Sequence, residues 1–413
     1  MHEFDIVIVG GGLVGGSLAC ALTATGLRTA VVEAVAAGAP QHPSYDERVI
    51  ALALGSRRIF EGIGLWSDIA AAAEPILRVH VSERGRPGCA HLDAANEGVS
   101  ALGYVAPARA IGAAIMAHLA SAPTVELLRP ARLIGLHPTP ARALARPQGM
   151  QLEVSVGGRS RLLQTRLVVA ADGGDSAVRR RLGLPVIERA YGHDAVISTV
   201  TASAPRPGVA FERFTDSGPL ALLPMTAGRW SVVWTTRAEA TPAVLALDDA
   251  AFLARLQERF GQRLGTLTRP GRRSAYPLRL MLARELTRPR LVLIGNAAHT
   301  LHPVAGQGFN LGLRDVAELA EALALAQRLG HDPGGPGVLA QYRRQRRGDQ
   351  HQVALLTDGL ARLFVNPWGP VRLGRNLGLL GLDLLPGARH LLARRFMGLG
   401  GRLPRLARGL PLV

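Results

Sequence analysis

The hydrophobic and polar positions of the first thirty-three residues predict a strand, a glycine turn, a helix and a second strand. Residues 4–9 are β-branched and apolar, which is typical of a buried strand in a parallel sheet. An alanine-rich segment over 13–25 predicts a helix that ends near Gly26. Residues 29–32 predict the next strand, which ends at Glu33. This order is a βαβ unit.

The order of strand, glycine turn and helix returns in "LQTRLVVAADGGDSAVRRRLG" and in "RLVLIGNAAHTLHPVAGQGFNLGLRDVAELAEALALAQRL". Between these stretches, from about Tyr191 to Tyr276, alternating apolar positions predict a sheet of a different domain. The tail after Gly334 is arginine-rich and helical in pattern. The chain is therefore expected to be an α/β protein whose first domain is interrupted by a sheet-rich insertion.

Composition excludes several other classes. With 413 residues, 48% hydrophobic and 19% charged, the chain is expected to fold and to form two joined domains. No uncharged apolar run reaches the roughly 18 residues of a membrane-spanning helix. The N-terminus has no secretory signal pattern, and Cys20 and Cys89 form neither a disulfide framework nor a metal-ligand spacing. A reducing cytoplasm is the expected location.

The net charge of +17 favours anionic partners, which are membrane headgroups, nucleic acid or phosphorylated cofactors. Aromatic residues make up only 4% and do not interleave with the basic residues, so nucleic acid is disfavoured. All 48 basic residues are arginine. The absence of lysine excludes a P-loop lysine, a Schiff-base lysine and pyridoxal-phosphate chemistry.

The glycine turn predicts a dinucleotide site. Gly10, Gly12 and Gly15 have the GxGxxG spacing between a strand and a helix. The first allows the turn, the second lets a pyrophosphate approach the backbone, and the third lets helix and strand pack closely. Glu33 is placed to accept hydrogen bonds from ribose hydroxyls. NAD and FAD both bind in this way.

Two later segments add to this site. Asp172 and Gly173 form a turn after a strand, although Asp-Gly is also a routine turn pair. The second segment, residues 295–315, follows an apolar strand and contains Gly295, Gly306, Gly308 and Gly312 before a helix opens. A helix N-terminus directed at a flavin ring would stabilise negative charge on that ring.

Taken together, these motifs resemble the class A flavoprotein monooxygenases, which have the para-hydroxybenzoate hydroxylase fold. "VHVSERG", "AFERFTDSGPLALLPM", "RSAYPL" and "GNAAHTLHPVAGQGFNLGLRD" resemble the FAD-dependent hydroxylases of ubiquinone biosynthesis in particular. The likeness covers nearly the whole chain. It implies a discontinuous Rossmann-like FAD-binding domain (1–78, 98–183 and 278–345), an inserted mixed-sheet substrate domain (79–97 and 184–277) and a helical C-terminal region (346–413).

The resemblance also implies the cofactor contacts. The residues expected to bind FAD are Gly10, Gly12, Leu13, Val14, Gly15, Glu33, Arg48, Arg109, Asp172, Gly173, Asn296, Pro303, Gly306, Gly308, Phe309 and Asn310. Gly10–Gly15 would hold the pyrophosphate, Glu33 the adenosine ribose, and Pro303–Asn310 the isoalloxazine. Much of the wider family has Gly-Asp where this chain has Gly295-Asn296, and the uncharged amide still hydrogen-bonds a ribityl hydroxyl.

The implied reaction is ring hydroxylation of a polyprenylated phenol of the 2-polyprenyl-6-methoxyphenol type. The resemblance implies that FAD would be reduced by a transiently bound NAD(P)H and would react with O2 through a C4a-hydroperoxide. The protein orients the ring, excludes water and favours phenolate, so no catalytic side chain is named. The substrate-facing residues are expected among Phe211, Phe214, Leu222, Pro224 and Trp234, which fit an ordinary sheet core equally well. His299 and His302 lack a third ligand, so no metal is expected.

The C-terminal stretch "ARHLLARRFMGLGGRLPRLARGLPLV" mixes leucine with arginine. Such a segment binds an anionic membrane surface or packs on a domain or partner. A polyprenyl substrate favours a peripheral position on the inner face of the bacterial membrane and membership of a ubiquinone-biosynthesis complex. Two alternatives stay open: hydroxylation at another carbon or of a small soluble aromatic, and a non-catalytic FAD-binding subunit.

Overall fold

The computed structural model describes residues 2–36, 48–139, 149–366 and 368–412. The remainder of the predicted FAD-binding domain and of the C-terminal region lies outside the described residues. The strands are β1 (His2–Val9), β2 (Thr29–Val32), β3 (Val49–Ala53), β4 (Glu74–Ile76), β5 (Arg78–Glu83), β6 (Cys89–Asp93), β7 (Gly103–Pro107), β8 (Val125–Leu128), β9 (Ala131–Pro138), β10 (Met150–Val156), β11 (Arg159–Ala170), β12 (Val186–Ala202), β13 (Val209–Thr215), β14 (Gly218–Pro224), β15 (Arg229–Arg237), β16 (Leu267–Thr268), β17 (Ser274–Ala283), β18 (Thr287–Arg288), β19 (Leu291–Leu293) and β20 (His299–Thr300). The helices are α1 (Leu13–Leu22), α2 (Leu54–Ile63), α3 (Trp66–Ala70), α4 (Ala108–Ala120), α5 (Ala177–Arg181), α6 (Thr241–Leu245), α7 (Asp249–Phe260), α8 (Gln307–Arg328), α9 (Pro336–Val365), α10 (Gly369–Leu384) and α11 (Pro386–Phe396).

The first sheet is built on parallel strands in the order β19-β11-β1-β2-β8, extended by antiparallel β18, β10 and β9. Residues 6–9 of β1 and 29–32 of β2 are buried, as expected for a sheet covered on both faces. Because β1, β2, β11 and β19 are parallel, their carboxyl ends meet at one edge. The glycine turn, Glu33, the Asp172 turn and the loop after Leu293 all follow these ends.

The helix of the βαβ unit is shorter than predicted. α1 ends at Leu22, and the chain continues as a 3-10 turn over Thr23–Thr25 before Gly26, which has φ of 73°. The hydroxyl of Thr23 donates to the carbonyl of Cys20 (2.8 Å), and that of Thr25 donates to the carbonyl of Leu22 (2.6 Å). Threonine side chains that bond the local backbone in this way compete with the regular helix.

The second sheet is mixed, in the order β20-β17-β12-β15-β14-β13-β5-β6, with β16 added beside β12. Only the β13–β5 pairing in this order is parallel within the described ranges. One face packs against α7 through a core that includes Trp230, Trp234, Phe252 and Phe260. The other face carries the cavity described below.

The C-terminal helices lie against the cavity side of the second sheet. The rings of Phe214 on β13 and Phe364 on α9 are stacked, with centroids 3.4 Å apart and planes 12° apart. Arg375 on α10 forms a buried ion pair with Glu83 on β5, with its Nε 3.0 Å from Oε2. In the described ranges no helix combines the length and apolar character needed to cross a bilayer.

The predicted α/β class, with a Rossmann-like sheet, a mixed sheet and C-terminal helices, is confirmed. The division into domains with the stated boundaries stays a prediction.

Candidate functional site

The three glycines of the turn have three different structural roles. Gly10 has φ of 102°, and a side chain there would overlap the backbone of Ala171. A Cβ on Gly15 would overlap the carbonyl oxygen of Gly10, so α1 packs directly on β1. A Cβ on Gly12 would meet nothing within 4 Å. Gly12 is also the N-cap of α1, and its side-chain direction opens into the cavity, together with Leu13 and Val14.

The carboxylate of Glu33 lies beside this turn. Its Oε2 accepts a hydrogen bond from the backbone N–H of Gly11 (2.7 Å), and its Oε1 accepts one from the N–H of Val35 (2.8 Å). Glu33 also lines the cavity. The side chain is therefore held in place by the backbone at the end of β2.

The Asp172-Gly173 turn faces the same cavity. Asp172 Oδ2 accepts a hydrogen bond from the N–H of Val178 (3.1 Å), and Gly173 has φ of 82°. Asp172 Oδ1 is buried without a hydrogen-bond partner among the described residues. A buried carboxylate oxygen with no partner is costly, so this atom marks a place where a donor from a bound molecule fits.

The loop from Gly295 to Asn310 is held by a buried carboxylate on α8. Asp315 Oδ2 accepts a hydrogen bond from the N–H of Gly295 (3.0 Å) and lies 2.7 Å from His299 Nε2. Its Oδ1 accepts from Arg346 Nε and from Gln350 Nε2, each at 2.8 Å. Burial alone would raise the pKa of Asp315, but His299 and Arg346 hold it well below its usual range. His299 therefore helps to hold the loop in place through its contact with Asp315.

The predicted flavin-loop residues divide into two kinds. Asn296, Pro303, Gly306, Gly308 and Phe309 line the cavity. Asn310 also lines the cavity, but all hydrogen-bonding positions of its side-chain amide are occupied by protein groups. These hydrogen bonds join the loop to the chain around β3 and α2. Its Oδ1 accepts from the N–H of Ala53 (2.8 Å) and the hydroxyl of Ser56 (2.7 Å), and its Nδ2 donates to the carbonyls of Ala51 (2.8 Å) and Gly306 (2.7 Å).

The two predicted arginines are placed differently. Arg48 lines the cavity, and its guanidinium carbon lies 5.0 Å from the ring centroid of Tyr276 on β17. Arg109 lies in the first turn of α4, is exposed and does not line the cavity, although its neighbour Ala108 does. Gly15 is likewise behind the cavity surface because it packs on Gly10.

These groups surround one end of a cavity of about 1110 Å³ that continues along the second sheet. Ligand pockets in proteins hold roughly 300–1,000 Å³, so this space has room for a dinucleotide and a second molecule. The far part is lined by apolar side chains of the sheet and the C-terminal helices, including Val81, Phe214, Leu360, Phe364, Leu379 and Phe396.

The predicted substrate residues separate by strand parity. Phe214 lies on the cavity face, whereas Phe211 borders the cavity but packs against Trp230 and Phe260 in the core behind the sheet. Leu222, Pro224 and Trp234 do not line the cavity. Leu222 and Trp234 belong to the core on the opposite face of the sheet, and Pro224 follows Leu222 at the same parity. Successive side chains of a strand point to opposite faces. Pro219, Ala221 and Leu223 of β14, and Ser231, Val233 and Thr235 of β15, line the cavity instead.

Glu212 is a cavity residue that was not predicted from the sequence. This residue lies on β13 between Phe211 and Phe214 and lines the cavity. No hydrogen bond or ion pair to its carboxylate is found within the part of the chain that the structure describes. Burial raises the pKa of Glu212 to about 7. The signal was present in "AFERF", where one carboxylate occupies the parity of Ala210 and Phe214, both cavity residues.

Comparison with known proteins identifies the class. Residues 3–355 match the FAD-binding domain family, and the chain belongs to this family. Ubiquinone hydroxylase UbiL of Rhodospirillum rubrum is 42% identical over 99% of this chain and 93% of its own length. The 3-demethoxyubiquinol 3-hydroxylase of Escherichia coli is 32% identical over 92% of this chain and 94% of its own. The chain is an FAD-dependent monooxygenase.

Solved structures give the same fold. The p-nitrophenol 4-monooxygenase PnpA of Pseudomonas putida superposes with a TM-score of 0.78, covering 97% of this chain and all of that one at 22% identity. This likeness places the chain among the flavin monooxygenase folds, in agreement with the resemblance stated from the sequence.

Proposed function

We propose that this protein hydroxylates the aromatic ring of a polyprenylated phenol in ubiquinone biosynthesis, with FAD as bound cofactor and NAD(P)H and O2 as co-substrates. The named activities of the relatives support this reaction class. The observation that carries the proposal is the form of the cavity. It runs from a dinucleotide-type glycine turn into an apolar space between the second sheet and the C-terminal helices.

The residues at the polar end fit FAD. The space beside Gly12 and the N–H groups at the start of α1 suit a pyrophosphate. Glu33 and the unpartnered Asp172 Oδ1 are oriented towards the same cavity and suit hydroxyl donors. Asn296 and the loop from Pro303 to Phe309 would hold the ring system. Bound FAD supplies the redox and oxygen chemistry, while the protein positions the ring and keeps water out.

The apolar part suits a ring with a hydrocarbon tail. Phe214 and Phe364 form its aromatic wall, and Leu379 and Leu382 of α10 extend it. Every methylene transferred from water to such a surface contributes about 0.8 kcal/mol, so a polyprenyl chain gains far more here than a small soluble aromatic. We infer that the tail lies between the sheet and the C-terminal helices and that Phe214, Ala221 and Val233 face the ring.

We further propose that the C-terminal helices bind an anionic membrane surface. Leu373, Leu377 and Leu384 are 63%, 57% and 78% exposed and follow one another on one side of α10. Leu385, which follows α10, and Leu391 on α11 are likewise exposed, at 60% and 69%. Arginines of the same helices add positive charge, and a prenylated substrate is supplied from the bilayer. Membership of a biosynthetic complex would use the same exposed surface.

We also propose the division into an FAD-binding domain (1–78, 98–183 and 278–345), a substrate domain (79–97 and 184–277) and a C-terminal region. The placement of β5, β6 and all of β12–β17 in one sheet supports it, and β20 joins the same sheet from the FAD-binding range.

The deciding experiment combines two measurements. Purified yellow protein is incubated with NAD(P)H, O2 and prenylated phenols, and product is identified by mass spectrometry together with the ring position. In the organism that encodes this protein, deletion of the gene is expected to cause accumulation of a prenylphenol lacking one hydroxyl group. Tight FAD binding without any turnover of these phenols would instead support a non-catalytic subunit.

A further inference from the structure

We propose that Glu212 is the residue that accepts the proton of the substrate's phenol hydroxyl in the cavity. This inference rests on the proposed function, because it concerns how the same cavity prepares a phenol for hydroxylation.

The position of Glu212 in the sheet carries the argument. Its register partners are Val81 on β5 and Ala221 on β14, and Ala221 is in turn paired with Val233 on β15. All three neighbours also line the cavity. Glu212 therefore presents a carboxylate from the middle of an apolar surface, at the place proposed for the ring.

Within the described ranges, the charged residues that line the cavity besides Glu212 lie around β2, β3, β9 and β11 at the other end: Glu33, Arg48, Arg132, Asp172 and Asp175. Among the described residues that line the cavity, those of β5, β6, β14, β15 and the C-terminal helices are all without ionisable side chains. His80 on β5 and Arg213 on β13 have the opposite parity to Val81 and Glu212. Glu83 is neutralised by Arg375 in the buried ion pair, and Tyr276 on β17 is separated from β13 by β12, β15 and β14. Four strand spacings correspond to roughly 19 Å.

This environment favours proton transfer from a phenol. Desolvation by burial is the cause of the raised pKa of Glu212, which lies at about 7. A base of this pKa is ionised to a useful extent at neutral pH and is stronger than an ordinary carboxylate. The phenol O–H bond breaks, an O–H bond forms on a Glu212 oxygen, and the electron pair stays on the phenolate oxygen. The negative charge passes from carboxylate to ring, which makes the ring a better nucleophile.

The test compares holoenzyme carrying Glu212→Gln with wild type and with Glu239→Gln, an exposed glutamate outside the cavity. Product and NAD(P)H oxidation are measured between pH 5.5 and 9.5. Removing a general base typically costs about 10²–10⁴-fold, so we expect the Gln variant to form product about 100-fold more slowly at pH 7, with unchanged FAD content. Its rate should rise about tenfold per pH unit as the phenol ionises by itself, whereas wild type levels off above pH 7.

Unchanged rate and pH profile in Glu212→Gln, with product formed by wild type, would overturn this inference alone. No product from wild type with any prenylphenol would overturn the proposed function and the inference together. If the Gln variant loses FAD, Glu212→Ala with added acetate serves as the second test. Acetate is expected to restore product formation, and failure to do so in a FAD-loaded protein contradicts the role.

Discussion

The two ends of the cavity are built in different ways. At the polar end the chain forms the site mainly with its backbone, at turns that follow parallel strands. The absence of a side chain on the glycines permits the close backbone packing at Gly10 and Gly15 and the open space at Gly12. At the apolar end the site is one face of a mixed sheet, and a shift of one residue along a strand moves a side chain from cavity to core. A site built from backbone groups is therefore recognisable in the sequence as a glycine motif. A site on one face of a sheet is indicated only by the alternation of residues along each strand.

The sharpest test of the polar end is to place the same side chain on two glycines of the turn. Gly15→Val is expected to prevent folding, because its Cβ would overlap the Gly10 carbonyl. Gly12→Val is expected to fold and to lose FAD at least 100-fold, because its side chain would occupy the open space of the cavity. Soluble yield and the ratio of flavin to protein absorbance measure the two effects. A fully yellow Gly12→Val protein would contradict the cofactor site.

Two adjacent residues on β15 test the apolar end. Trp234→Ala is expected to destabilise the protein by about 3–5 kcal/mol, because Trp234 is 1% exposed in the core behind the sheet. Val233→Ala is expected to cost less stability and to raise KM for prenylphenol, because Val233 lines the cavity. Denaturant unfolding and steady-state kinetics separate the two. Equal KM changes in both variants would contradict the assignment of faces.

The pH dependence of stability gives a test of Glu212 that is independent of turnover. Its folded-state pKa of about 7 lies above the usual glutamate value of 4.5. Its carboxyl is therefore protonated in the folded state at low pH, and the associated stability is lost as pH rises through about 7. The full shift corresponds to at most about 3 kcal/mol. Glu212→Gln should unfold at a higher temperature than wild type at pH 8.5 and similarly at pH 4.5, with Glu239→Gln unchanged at both.

The exposed leucines of α10 should give the smallest effect. Burying one leucine contributes about 1.5–3 kcal/mol, so replacing Leu377 by serine is expected to weaken binding to anionic vesicles about tenfold. Leu329→Ser is the matched control, because Leu329 is equally exposed at 57% but lies at the end of α8. Vesicle flotation measures both, and binding should fall as salt rises. Vesicle binding that is unchanged both by Leu377→Ser and by added salt would contradict the proposed surface.

The sequence alone was sufficient for the parallel sheet and its turns, because a GxGxxG spacing and apolar runs have few structural solutions. For Arg109 the sequence was not sufficient, because a resemblance indicates the position of a residue but not the direction of an exposed side chain. Leu222 and Trp234 were misplaced relative to the cavity because both faces of β14 and β15 are apolar or uncharged. Alternation therefore could not tell the cavity face from the core face.

The buried pair of Glu83 and Arg375 joins residues 292 positions apart. During synthesis, the strands of the second sheet, the last of which ends at Thr300, are made before the helices that cover its cavity side, which begin at Pro336. For that interval its row of apolar side chains faces water or a chaperone, a state in which exposed hydrophobic surface favours aggregation. The C-terminal helices are thus the last elements available to cover this apolar surface, as well as forming one wall of the cavity.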